Sequence, residues 1–195
     1  MNQNYPTRED AINLLHEYTK TDSLRRHALG VEQAMRKMAE KYHGDPNEWG
    51  ITGLMHDFDY EMYPTVDEHP YKGNKILKSK GYPDSITQAI MVHATYTGIE
   101  RETDMAKSLF AVDELTGFIF AVTYVRPSKS IFEVKPRSVK KKLKQKSFAA
   151  SVIREDIFQS VEELNLDLTE HIQFVIDALS EKAEELGLEG ELLSS

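Results

Sequence analysis

The 195-residue sequence contains no cysteine. Disulfides, thiolate metal sites and a cysteine nucleophile are therefore excluded. It also lacks any apolar run approaching the roughly 20 residues that span a bilayer. No glycine-rich phosphate loop, internal repeat or low-complexity tract is present, and the opening Met-Asn-Gln-Asn-Tyr-Pro lacks the charged-then-apolar pattern of a secretory signal. These absences set the expectation of a cytoplasmic protein with no membrane partner. With 40% apolar and 29% charged residues the composition is that of a globular chain. Its length suits one domain with a sizeable core, expected to be a single all-α domain over residues 1–195.

Charge is distributed unevenly. Residues 1–125 carry a net −6, residues 126–154 a net +9 and residues 155–195 a net −11. A basic stretch between two acidic ones reads either as local anion handling or as a solvated face, and not as specific nucleic-acid binding.

The punctuation is helical almost throughout. Thr7 and Asp10 form a capping-box pattern ahead of a helix over Ala11 to Tyr18. Ser23 can cap a second helix, in which Leu24, His27, Val31, Met35, Met38 and Tyr42 recur at three- and four-residue steps. Asp45-Pro-Asn-Glu48 opens a third, apolar nearly all round and so expected to be central and buried. Further helices are expected from about Pro70 to Lys80 and from about Asp84 to His93. A long one, capped by Thr103, should end before Arg126-Pro127, although residues 118–125 alone would read as a strand. Asp167 opens a terminal helix stopped by Gly187.

Of the seven histidines, His16, His43 and His171 sit among polar neighbours and read as surface positions. His27 and His56 instead fall on core-facing stripes. Asp57 follows His56 directly, and Asp113 lies among Leu109, Phe110, Ala111 and Val112, where an unpaired carboxylate would be costly to bury. A lone histidine on such a stripe is ordinarily a hydrogen-bonded core residue. Two imidazoles and two carboxylates on three inward-facing segments point to a shared partner, and a divalent cation is the simplest one. Mn, Fe, Co, Ni, Zn and Mg all remain open.

His27, then Gly53-Leu-Met-His56-Asp57, then Asp113 within Phe110-Ala-Val-Asp-Glu-Leu-Thr-Gly117, resembles the HD-domain superfamily of metal-dependent phosphohydrolases. The resemblance covers roughly residues 20–125. It implies an HD-domain-like helical bundle, with the basic segment 126–154 and C-terminal helices over 155–188 packed on it. It also implies a divalent metal held by His27, His56, Asp57 and Asp113, and metal-activated water attacking a phosphoester or phosphoanhydride of a nucleotide or other small phosphorylated metabolite. Asp57 is the catalytic ligand in this reading, with Asp59 assisting proton transfer from a polar loop. His69 and His93 are similar to positions that bind a second metal or a substrate phosphate. Ala94 stands where the two-metal cyclic-dinucleotide branch carries another histidine, and Gly81-Tyr-Pro83 precedes His93 where that branch's signature follows it. Cyclic-dinucleotide hydrolysis is therefore not expected. Phosphate contacts are assigned to Lys72, Lys144, Lys146 and Arg26, and a homodimer is compatible with the sequence. The competing readings are a non-catalytic metal- or nucleotide-binding HD module and an HD-type di-iron oxygenase.

Overall fold

The computed structural model describes residues 6–190, and every regular element among them is a helix. The strand-like stretch 118–125 is helical as far as Tyr124. None of the described helices is long and apolar enough to cross a membrane. The chain divides into two compact units, Met1–Leu109 and Phe110–Ser195.

In the first unit, α1 (Arg8–Tyr18) opens on the expected capping box. The Thr7 hydroxyl accepts the Asp10 N–H at 3.2 Å, and the Asp10 carboxylate accepts the Thr7 N–H at 2.9 Å. Helix α2 (Asp22–Tyr42) begins earlier than Ser23 suggests, with Thr21 as its N-cap. The reason lies 40 residues away: the Glu61 carboxylate accepts the N–H groups of Lys20 and Thr21 at 2.6 and 3.1 Å, and the Thr21 hydroxyl at 2.8 Å. A distant side chain thus takes the part that a glutamate in the helix's own first turn plays in a capping box, accepting the N-cap N–H.

Helix α3 (Pro46–Met55) starts where Asp45 accepts the Asn47 N–H at 2.8 Å, with Pro46 in the first turn. Trp49 through Met55 are all buried, and the helix packs against α1, α2 and α5 (Asp84–His93). Helix α4 (Tyr71–Ser79) packs on α5 and gives way to Gly81 at a φ of 82°. The central contact is between α2 and α3. Gly53 makes it close: a Cβ there would lie 2.8 Å from the Val31 carbonyl oxygen and 2.9 Å from Met35 Cγ. Beside this seam the buried Glu32 carboxylate receives Arg8 at 2.6 and 2.9 Å and Arg36 at 2.9 and 3.0 Å, so its burial is compensated.

Helix α6 (Asp104–Tyr124) begins in the first unit, where the Thr103 hydroxyl accepts the Ala106 N–H at 3.2 Å, and continues in the second. The second unit adds α7 (Pro136–Leu143), α8 (Arg154–Glu163), α9 (Leu168–Ser180) and α10 (Ala183–Leu186). Helix α9 is its hub, touching α7, α8, α10 and the 3₁₀ turn Ile131–Glu133. The single terminal helix expected up to Gly187 is in fact interrupted. The Ser180 hydroxyl bonds back to the Ile176 carbonyl at 2.7 Å, and the Lys182 N–H turns to Leu179 at 3.1 Å, before α10 ends at Gly187 with a φ of 67°. His171 is also not a surface residue. It is buried, and its Nε2–H donates to the Ala111 carbonyl at 2.8 Å. Its neighbours Glu170 and Gln173 are exposed, but adjacent positions on a helix point about 100° apart.

Because its Cβ would meet backbone as well as a side chain, Gly53→Ala should destabilise the protein. Overpacking of this kind costs about 1–3 kcal/mol, against at most about 1 kcal/mol gained in helix propensity. A lower urea midpoint with an unchanged denaturant slope is the expected outcome.

Candidate metal centre

Four histidines of the first unit form a continuous group. The rings of His27 and His56 meet edge to face at 5.3 Å, those of His56 and His93 at 5.4 Å, and those of His93 and His69 at 5.4 Å. His56 caps the C-terminus of α3, where helix carbonyls lack intrahelical partners. Its Nδ1–H takes up one of them, donating to Gly53 at 2.7 Å. His93, the last residue of α5, does the same with Ile90 at 2.5 Å. His69 precedes α4, and its Nδ1–H donates to Asp59 at 2.8 Å.

These partners decide the tautomers. A carbonyl or carboxylate can only accept, so each Nδ1 carries the proton and each neutral ring presents a bare lone pair at Nε2. All three lone pairs converge on Asp57. His69 Nε2 and His93 Nε2 lie 3.1 and 3.2 Å from its Oδ1, and His56 Nε2 lies 3.4 Å from its Oδ2. Acceptors facing an acceptor at these distances repel unless a positive charge lies between them. A divalent cation supplies that charge, and imidazole with carboxylate is a donor set suited to several such ions. The residues present therefore fit a metal. His27, His56 and Asp57 each offer a ligand atom within 4.8 Å of the others, and so do Asp57, His69 and His93. Asp57 is common to both sets, and its side chain remains 27% exposed.

In the metal-free protein a proton takes the cation's place. Burial pushes the Asp57 carboxyl up, but the His56 charge and the contacts from His56, His69 and His93 outweigh it and hold the group well below the usual carboxylate range. Burial pushes the His69 imidazole down, and the two carboxylates of Asp57 and Asp59 overcome this to lift it to about 9.

Asp59 is buried instead of standing in an open polar loop. Its Oδ1 accepts from His69, and its Oδ2 accepts the Gly73 N–H at 2.8 Å. Both oxygens thus serve to orient His69, in the manner of the outer-shell carboxylates that back ligating histidines. Gly73 permits the approach, since a Cβ there would sit 2.5–2.7 Å from the Asp59 carboxylate. Tyr96 supports the same histidine, its hydroxyl donating to the His69 carbonyl at 2.9 Å, and the Tyr60 ring meets the His69 ring at 5.4 Å. No spacing in the sequence connects Tyr60 and Tyr96 to the site. Lys72 lies one turn beyond Glu68, which it pairs with at 2.5 Å while its ammonium rests 4.4 Å above the Tyr63 ring. Arg26 is exposed. Asp113 is half-buried on the part of α6 that belongs to the second unit, and Lys144 and Lys146 are exposed residues of that unit.

The family model of the HD domain matches residues 24–117. That span takes in His27, His56, Asp57, His69, His93 and Asp113. No curated protein and no solved structure matches the chain.

Asp59→Asn tests the orienting role directly. Asparagine replaces one of the two accepting oxygens with an NH₂ donor, so either His69 Nδ1–H or the Gly73 N–H would face a donor, and His69 should lose its fixed tautomer and direction. Calorimetric titration with Mn²⁺ should show affinity reduced about 10–100-fold at the set that includes His69, the range typical of outer-shell carboxylates. Unchanged affinity would show that His69 needs no such support.

Proposed function

We propose that this chain, whose residues 24–117 match the HD-domain model, is a metal-dependent hydrolase of a phosphoester or phosphoanhydride in a small phosphorylated metabolite, a nucleotide foremost. The observation that carries this reading is the convergence of His56, His69 and His93 on Asp57 with their lone pairs inward.

In this proposal His27, His56 and Asp57 would hold one divalent ion, with Asp113 as the fourth ligand that the HD-domain resemblance implies, and His69 and His93 would be available through Asp57 to a second ion or to a substrate phosphate. When bound, the cation supplies Lewis acidity and lowers the pKa of an associated water, to about 7 in favourable zinc sites. The chain's own contributions follow from the geometry. Asp57, ionised at neutral pH and partly open to solvent, orients the attacking water and receives its proton. Asp59 positions His69 and does not deliver a proton itself, because both its oxygens are occupied. Tyr60 and Tyr96, 42% and 49% exposed, border His69 and offer apolar faces to the organic part of a substrate, which favours a ring-bearing metabolite over a bare phosphate. Arg26 and Lys72 are the cationic side chains nearest in sequence to His27 and His69, and we assign them to the phosphate; Lys72 would exchange its Glu68 partner for it.

Purified protein supplied with each divalent metal in turn should release phosphate or a phosphorylated fragment from some member of a panel of nucleotides and sugar phosphates. Asp57→Ala should abolish this turnover while leaving the helical circular-dichroism signal largely intact. A fully active alanine variant would remove Asp57 from the chemistry and sink the proposal.

A further inference from the structure

The basic segment holds more than charge. Between α7, α8 and the loop that joins them the C-terminal unit holds an open cavity of about 560 Å³, within the roughly 300–1,000 Å³ of small-molecule sites. Its lining combines the cationic Lys140, Lys144 and Lys146 with one carboxylate, Glu155, and with an apolar floor of Leu143, Val152, Phe158 and Leu168, so that positive charge is in excess. Every lining residue belongs to this unit. The lysines are not equivalent. Lys140 donates to the Thr169 hydroxyl at 2.8 Å, and Lys142, which does not line the cavity, lies 4.5 Å over the Phe148 ring. The ammonium groups of Lys144 and Lys146 make no hydrogen bond or ion pair among the described residues. Phe158 leaves 44% of its surface uncovered on the floor.

The loop behind these lysines is built, not loose. Arg154 spends its guanidinium on main-chain carbonyls: Nε donates to Leu143 at 3.2 Å, Nη1 to Ala149 and Val152 at 3.3 and 3.0 Å, and Nη2 to Gln145 at 3.1 Å and to Phe148. The arginine is consumed in shaping the wall, which leaves the two uncommitted ammonium groups as the positive charge on offer. A purely solvated basic face would need neither an apolar floor nor a wall fixed in this way.

We propose that this cavity binds an amphipathic anion, a carboxylate or phosphate head on an aliphatic or aromatic body, with the head held by Lys144 and Lys146 and the body laid over Phe158, Val152 and Leu168. The head answers two unpartnered like charges, and the body covers apolar surface that water now meets. This site does not depend on the hydrolase reading.

Calorimetric titration of the full chain with decanoate and with decyl phosphate, both below their micelle-forming concentrations, tests it. Each should bind one to one, with inorganic phosphate (head alone) and decanol (body alone) at least about tenfold weaker. Lys144→Gln combined with Lys146→Gln should weaken decyl phosphate by about tenfold or more, the scale of a lost charge-assisted hydrogen bond. Phe158→Ser should weaken the decyl compounds and leave inorganic phosphate unaffected. Asp57→Ala should bind them as the unaltered protein does, which separates this site from the metal centre. The proposal is overturned if inorganic phosphate binds as tightly as decyl phosphate, or if the lysine substitutions change nothing. It is equally overturned if Asp57→Ala abolishes binding, or if the chain sediments with anionic phospholipid vesicles while binding neither monomeric decyl compound.

Discussion

Three imidazoles turn their Nε2 atoms on one carboxylate, and much of the first unit is arranged to keep them there. Left alone, this arrangement is repulsive, and the protein meets it by fixing the opposite edge of every ring. Gly53, Ile90 and Asp59 each take an Nδ1–H, so none of the rings can flip to present a donor to Asp57 without abandoning a buried acceptor. The centre is thereby set for a positive charge before any arrives. In its absence the His69 proton fills the role, which is why that imidazole is lifted to about 9 while Asp57 is held ionised.

The fold and the site meet in one residue. Gly53 has no side chain because α2 passes too close, with Val31 and Met35 against it. Its carbonyl, freed at the end of α3, is the acceptor that orients His56. The tight α2–α3 seam also brings His27 of α2 against His56, ring to ring at 5.3 Å. Helix packing and ligand direction are in this sense one constraint, satisfied by the same few atoms. Gly73 repeats the pattern at the other end of the cluster, where a missing side chain admits Asp59.

Much of this was legible in the sequence. Capping residues fixed the starts of α1, α3 and α6, and helical periodicity placed His27 and His56 on buried faces. What could not be read was whatever depends on pairing across distance. Glu61 sets the start of α2 from 40 residues away, and Asp59 reaches His69 across an irregular stretch with no period to reveal it. His171 misled because its acidic neighbours describe the opposite face of its helix, while its own acceptor is 60 residues earlier. The interruption after Ser180 escaped for a related reason: a serine that bonds back to its own helix looks, in sequence, like any polar surface residue.

Arg154 holds its loop through carbonyl oxygens alone. Every residue type supplies a carbonyl, so the grip of this guanidinium on residues 143–152 makes no demand on which side chains they carry. Mutational drift can exchange the lysines and apolar groups along that wall while its backbone course stays the same. Recognition there is consequently free to diverge between descendants of this chain without a matching change in architecture, as long as the one guanidinium is retained.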